Sequence, residues 1–200
     1  MRVILLQHDP IPGDFQGNAR QLADMALAAA AALPPSADRP LCITPSYAIA
    51  GVPWKNLIRI GGFYRRCREA ASDLAEMLRD GPDILISLTG AEEPLYVLLS
   101  EGMVIPLNLT DDGYLVLPTG ACFYIPGPDP SWAHQEAAEC LSKKKAASVD
   151  AILFTESPVF LPGSHETREM HCSALASMWH IPVVAVSQFG AVDGLDYSGQ

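Results

Sequence analysis

Charge is scarce in this chain, and positive charge scarcer still. Only 18% of its 200 residues are charged, and 13 Lys and Arg against 23 Asp and Glu leave a formal net charge of −10. A nucleic-acid surface needs a basic field, which this balance excludes. The two short basic runs, Arg65-Arg66-x-Arg68 and Lys143–Lys145, sit in helical stretches beside Glu69, Asp73, Glu136 and Glu139. They read as solvated helix faces. Paired cysteines are missing too. Cys42, Cys67, Cys122, Cys140 and Cys172 are odd in number and widely spaced, and no C-x-x-C occurs. That excludes a disulfide framework and a zinc knuckle and suits reduced thiols.

Long hydrophobic runs are also lacking. No apolar stretch approaches the roughly 18 residues of a membrane span. The N-terminal run, MRVILLQHDP, is broken at once by His8, Asp9 and Pro10, too short for a signal peptide. A cytoplasmic protein with no membrane and no nucleic-acid partner is the expectation. No G-x-G-x-x-G follows the first strand, which removes the dinucleotide-binding fold. No H-E-x-x-H occurs, and His165, His171, Cys172 and His180 on one expected helix form no i, i+4 His pair, so no metal is expected.

What is present is an apolar fraction of 49%, enough for one sizeable core over residues 1–200. Val3–Gln7 reads as a strand buried on both faces. Asn18 is placed to cap a helix that Pro34–Pro35 stops. Leu41–Thr44 reads as a strand, Phe63–Arg79 as a helix and Asp83–Leu88 as a strand. Leu95–Ser100, Val104–Leu109 and Tyr114–Leu117, separated by acidic-Gly turns, read as hairpins. Cys122–Ile125 is a further apolar run, and Ser131 opens a helix to about Ala147. Ala151–Phe154 is a strand, His165–His180 a helix, and Pro182–Ser187 the last clear strand. Helices join strands at both ends while hairpins fill the middle. A two-sheet sandwich flanked by helices accommodates both.

The stretch TPSYAIAGVPWKNL resembles the nitrilase-superfamily segment F-P-E-L-A-L-T-G-Y-P-P-E-D-L through Pro45, Ala48, Gly51, Pro53 and Leu57. It is similar above all to the version in the glutamine-hydrolysing domain of glutamine-dependent NAD synthetase. The opening shares Gln7, Gly13, Asp14, Gly17 and Asn18 with that family's start. TESPVF matches N-A-S-P-F through Ser157, Pro158 and Phe160. IPVVAVSQFGAVDGLDYSG matches the closing motif through Pro182, Val183, Val184, Val186, Gln188, Gly190, Asp193, Leu195 and Gly199. The resemblance implies a four-layer α-β-β-α sandwich. The family domain continues beyond its D-G-x-S, so the end at Gln200 reads as a C-terminal shortening.

The family's chemistry uses a cysteine nucleophile, a glutamate base and a lysine that stabilises the oxyanion. The resemblance places Ser46 at the base. Leu109 or a neighbour takes the lysine position, with no lysine between Lys55 and Lys143. The nucleophile elbow, FYIPGPDPSW, holds Pro126 and Gly127 between Ile125 and Trp132. A hydroxyl, an aliphatic chain and an imino acid cannot do that work, so no catalytic residues are assigned. The vestigial pocket comprises Ser46, Tyr47, Leu109, Cys122, Pro126, Gly127 and Ser157. Tyr47 and Trp54 would line its mouth or serve as packing aromatics.

The leading expectation is a non-catalytic scaffold or binding protein without cofactor. The resemblance implies a homodimer or a complex with a separate NAD synthetase-type subunit, and a small amide as a ligand the pocket could hold. A second reading keeps amidohydrolase activity, with groups relocated to Cys122 and Glu156 or Glu93. A third is a remnant that merely folds. Cys122 and Cys42 also read simply as buried strand thiols, and Glu92, Glu93 and Glu156 as solvated carboxylates.

Overall fold

A computed structural model describes residues 1–51, 57–59, 61–88, 95–126, 149–155, 164–192 and 195–198. The expected helix from Ser131, the connection beyond Gly51 and the loop after Thr155 lie outside these residues. So do Trp54, Glu92, Glu93, Gly127, Glu156 and Ser157. The described chain runs β1 (Val3–Leu5), α1 (Phe15–Ala31), β2 (Leu41–Ile43), a single 3-10 turn (Leu57–Arg59), α2 (Phe63–Met77), β3 (Asp83–Leu88), β4 (Leu95–Ser100) and β5 (Met103–Leu107). It continues with β6 (Tyr114–Val116), β7 (Cys122–Tyr124), β8 (Ala151–Phe154), α3 (Ser164–Trp179), β9 (Val183–Ala185), β10 (Phe189–Val192) and β11 (Leu195–Ser198). Two compact units result, the first holding residues 1–106, 157–159 and 186–200, the second residues 107–156 and 160–185.

The first unit is built on a five-stranded sheet in the order β1-β2-β3-β4-β5. β1, β2 and β3 are parallel, and β4 returns antiparallel to β3. Parallel strands need crossover connections, usually helices, and α1 and α2 supply them. Apolar residues recur on α1 at Phe15, Ala19, Leu22, Ala23 and Ala26, and on α2 at Phe63, Cys67, Ala70, Ala71 and Leu74. That spacing gives each helix one buried stripe. The many alanines keep the stripes thin, so the helices lie close on Leu6, Cys42, Ile84, Ile86, Val97 and Leu99 of the sheet. Phe15 and Phe63 meet edge to face, ring centres 5.4 Å apart. The other sheet face, Leu41, Ile43, Leu85, Tyr96 and Leu98, is buried as deeply.

At the N-terminal end of β3, Asp83 accepts from Arg39 Nε at 2.9 Å and from Ser100 Oγ at 2.8 Å. The same guanidinium donates to the carbonyls of Leu78 and Arg79, which stops α2 with a cation at its negative pole.

The second unit carries a four-stranded sheet, β6-β7-β8-β9. β6 is antiparallel to β7, and β7, β8 and β9 are parallel, with α3 as the β8-to-β9 crossover. Its core joins Tyr114, Tyr124, Val149, Ile152, Leu175 and Ile181, with Cys122, Phe154 and Trp179 packed against it.

Four expectations need correction. Tyr114–Leu117 does not form a ladder with the strand before it, since β6 pairs with β7, in a different sheet from β5. Val3–Gln7 is not a strand buried on both faces. Among the described residues β1 is a sheet edge, and Val3 and Leu5 are 37% and 44% exposed. Asn18 does not cap α1: Asp14 does, its carboxylate accepting from Gly17 N–H at 3.0 Å. Nor is β9 the last strand, because β10 and β11 form an antiparallel hairpin with Val192 opposite Leu195. The intervening Asp193–Gly194 is a two-residue hairpin signal.

Candidate functional site

Parallel α/β sheets carry their sites beyond the carboxyl ends of the strands. In the first unit these ends lead into Leu6–His8 from β1 and Thr44–Gly51 from β2, with Ser87 near the end of β3. Leu6 N–H donates to the Ile43 carbonyl and Thr44 N–H to that of Leu85, extending the ladder one step past the strands. From Pro45 the chain turns sharply, and Tyr47 takes a left-handed backbone with φ of 61°. A side chain there costs of order 1 kcal/mol or more. The surroundings hold it in place.

Every carbonyl from Tyr47 to Ala50 is accounted for. Gly51 N–H donates to Tyr47 O at 2.8 Å, and Gly13 N–H to Ala50 O at 2.9 Å. Asn18 Nδ2 donates to Ile49 O at 2.9 Å and to Ile11 O at 2.8 Å, while its Oδ1 accepts from Ile11 N–H at 2.8 Å. His8 Nε2 lies 3.0 Å from Ala48 O. Because a carbonyl only accepts, Nε2 carries the proton. Tyr47 N–H reaches Ser87 Oγ at 3.3 Å. Ala48, Ile49 and Ala50 point into the core, and Gly51, with φ of 72°, lets the backbone pass where a Cβ would stand 2.8 Å from Pro12 Cα. The turn is thus pinned from β1, α1 and β3 at once. It presents two half-buried side chains, Ser46 and Tyr47.

His8 is fully buried, and its Nδ1 has no partner among the described residues. Burial pushes its pKa below the usual 6.5, outweighing the opposing pull of the Ala48 carbonyl and the Asp9 charge. The ring is neutral at neutral pH.

The remaining predicted residues belong to the second unit. Leu109 makes an isolated bridge to Leu115 and is 42% exposed. Cys122 opens β7 opposite Val116, and it exchanges two bonds with Asp150: its N–H to Asp150 Oδ2 and its carbonyl from Asp150 N–H, both 2.8 Å. Its side chain packs against the Tyr114–Tyr124–Ile152 core. A nucleophile elbow needs the carboxyl end of such a strand, and Cys122 stands at the amino end. Pro126, two residues past β7, is buried.

The other described thiols are held in the protonated form by burial. Burial raises Cys42 to about 12 and Cys67 to about 11, and Cys172 is raised for the same reason. Among the described residues no group of three or more His, Cys, Asp and Glu could hold a metal ion, and no helix is long and apolar enough to cross a membrane. A cleft of about 350 Å³ at the opposite end of the sheet includes Arg2, Pro34, Asp38, Arg39 and Asp80 in its lining. Its two arginines are committed to backbone carbonyls, so it reads as a structural seam.

Three residues that build the turn were not singled out by sequence pattern: His8, Asn18 in this role, and Ser87. His8 and Ser87 left a signal, a polar residue inside or close after an apolar run, and Asn18 left only its place at a helix start.

No family model matches the chain, and no curated protein does. Solved structures do. The glutamine-dependent NAD+ synthetase of Acinetobacter baumannii matches over 98% of this chain and 40% of its own length, at 21% identity and a TM-score of 0.78. An amidase from Nesterenkonia sp. matches over 98% of this chain and 79% of its own, at 20% identity and 0.74. A C-to-A mutant of the Nesterenkonia AN1 amidase, described as from the nitrilase superfamily, gives 20% and 0.73 over the same shares. The glutamine-dependent NAD(+) synthetase of Cytophaga hutchinsonii gives 13% and 0.68 over the whole of this chain and 38% of its own. The chain therefore spans about two fifths of the synthetases it matches. Its two mixed sheets and connecting helices are the fold of the nitrilase-superfamily amidases.

Proposed function

We propose that this chain is a non-catalytic nitrilase-fold protein that serves as a scaffold or binding module. The observation that carries the reading is the turn Thr44–Gly51. It is positioned from three elements, yet it offers a serine hydroxyl where the family resemblance calls for a glutamate. A hydroxyl cannot take a proton from a thiol near neutral pH. Removing one member of a cooperating catalytic unit costs several orders of magnitude in rate, and further losses add little.

The relocated-nucleophile reading is weaker. Cys122 sits at the wrong end of β7 and packs into a core. A working site also needs its nucleophile activated by a base or a lowered pKa.

As a binding module the protein would use two features. The Ser46–Tyr47 turn offers polar groups to a small amide. On α3, Met170 and Met178 are each 61% exposed, an apolar face suited to a second copy or an NAD synthetase-type subunit. The sandwich layering of the two sheets and a cytoplasmic setting belong to the same reading.

The test compares wild type with Cys122→Ser in glutaminase and amidase assays. Neither should turn over substrate above buffer. Activity in the wild type that disappears in Cys122→Ser would establish the enzyme instead. Light scattering of the purified chain, alone and with a synthetase subunit, tests the partner: a monomer in both cases removes that part of the reading.

A further inference from the structure

Among the described residues His8 is the titratable side chain that bonds into the turn presenting Ser46 and Tyr47, and nothing in the proposed function requires it to titrate. Its Nε2–H holds the Ala48 carbonyl at 3.0 Å, its ring is 0% exposed, and Nδ1 is buried without a partner among the described residues. The neutral ring fits this pocket. An imidazolium does not, since its second N–H would be a buried donor with nothing to meet.

The geometry points to His8 as a proton-operated latch: closed on the Tyr47–Gly51 turn when the ring is neutral, released when the ring takes a proton and must leave its buried pocket. The bond to Ala48 goes with the ring, so the turn loses its tie to β1 and keeps those to α1 and β3. Local opening follows, not global unfolding, because the helix stripes and sheet are untouched by the move.

Among the described residues few charges oppose this. Asp9, next in the chain, favours the protonated ring, but it is exposed and its carboxylate lies over the Cα of Gly190. The neighbouring elements contribute Tyr47 from the turn, Asp14 from the cap of α1 and buried Cys42 from β2. The segment Val186–Val192, whose Phe189 N–H donates to the His8 carbonyl, contributes no titratable group.

A base whose closed-state affinity for protons is depressed favours the open state progressively below its unfolded pKa. With 6.5 as that reference, the opening constant rises about tenfold between pH 7.5 and 5.5, for as long as the closed ring stays neutral. Hydrogen exchange reads this directly. Gly13 and Gly51 report the turn, since their N–H groups close it onto Ala50 and Tyr47, and Leu78, bonded to Leu74 at the end of α2, is the control.

Corrected for intrinsic exchange, Gly51 and Gly13 should lose close to tenfold protection over this range while Leu78 does not. Nitrogen NMR should show the Nε2–H tautomer at pH 7.5. His8→Gln, whose amide can donate to Ala48 but cannot titrate, should flatten the Gly51 profile. Should the variant fail to fold, the wild-type profiles decide alone. Unchanged protection of Gly51 through the His8 titration, or the Nδ1–H tautomer at pH 7.5, overturns the latch.

Discussion

The two units spend their polar groups differently. In the first, buried polar side chains converge on one turn: His8, Asn18 and Ser87 each reach across from a different element to Thr44–Gly51. In the second, the described side-chain bonds are local and lie elsewhere, in a turn before β6 and at the amino ends of β7 and β8. Thr110 accepts from Tyr114 N–H within a hairpin, and Cys122 and Asp150 exchange bonds across neighbouring strands. Long-range wiring of a turn is costly to specify, because each buried partner must be satisfied. Its presence around one turn teaches that the first unit fixes Thr44–Gly51 from several elements at once.

The contrast is open to attack at several points. The largest effect expected is in the first unit's core, where Phe63, 1% exposed, packs between Phe15 and Tyr64. Phe63→Ala should cost about 3–5 kcal/mol in chemical denaturation. Next comes Asn18→Ala, which strands two carbonyls and one N–H and should cost about 2–4 kcal/mol. A cost under 1 kcal/mol would mean water takes over those bonds and the wiring is incidental. Gly51→Ala, forced to φ of 72° with Pro12 in the way, should cost about 1–3 kcal/mol. Asp14→Ala removes the α1 cap and should cost about 1 kcal/mol. At the small end, Arg65→Ala breaks an exposed pair with Glu69 and should change stability by less than about 0.5 kcal/mol.

Acid offers a further lever. His8 has a folded pKa below its unfolded 6.5, so the unfolded chain binds the proton first. The contribution of the neutral ring is fully present above pH 6.5 and is lost as pH falls below it, at no more than about 1.4 kcal/mol per pH unit. Thermal melts from pH 7.5 to 5 should show this decline in the wild type and less of it in His8→Gln.

Much of the fold was legible because period and length agreed. Asp83–Leu88 and Ala151–Phe154 are apolar runs of strand length bounded by turn residues, and they appear as β3 and β8 with those limits. The turn between β4 and β5 was announced by Glu101–Gly102, whereas β6, after the Asp111–Gly113 turn, pairs with β7 in another sheet. What failed was decided by tertiary context. Whether Val3 and Leu5 are covered depends on which strands lie beside β1, and no local pattern states that. Asn18 looks like a cap to any local rule, yet tertiary structure uses its amide to join Ile11 and Ile49, leaving the cap to Asp14. Of the candidate site, Ser46 and Tyr47 were located through motif resemblance. The residues that hold them were not, since a bond between positions 8 and 48 leaves no periodic trace.

The proposal that this frame no longer cleaves amides is tested most directly by intact-mass spectrometry after exposure to an electrophilic glutamine analogue. An unshifted mass is the predicted result. A stoichiometric adduct, mapped by peptide sequencing to Cys122, would contradict it.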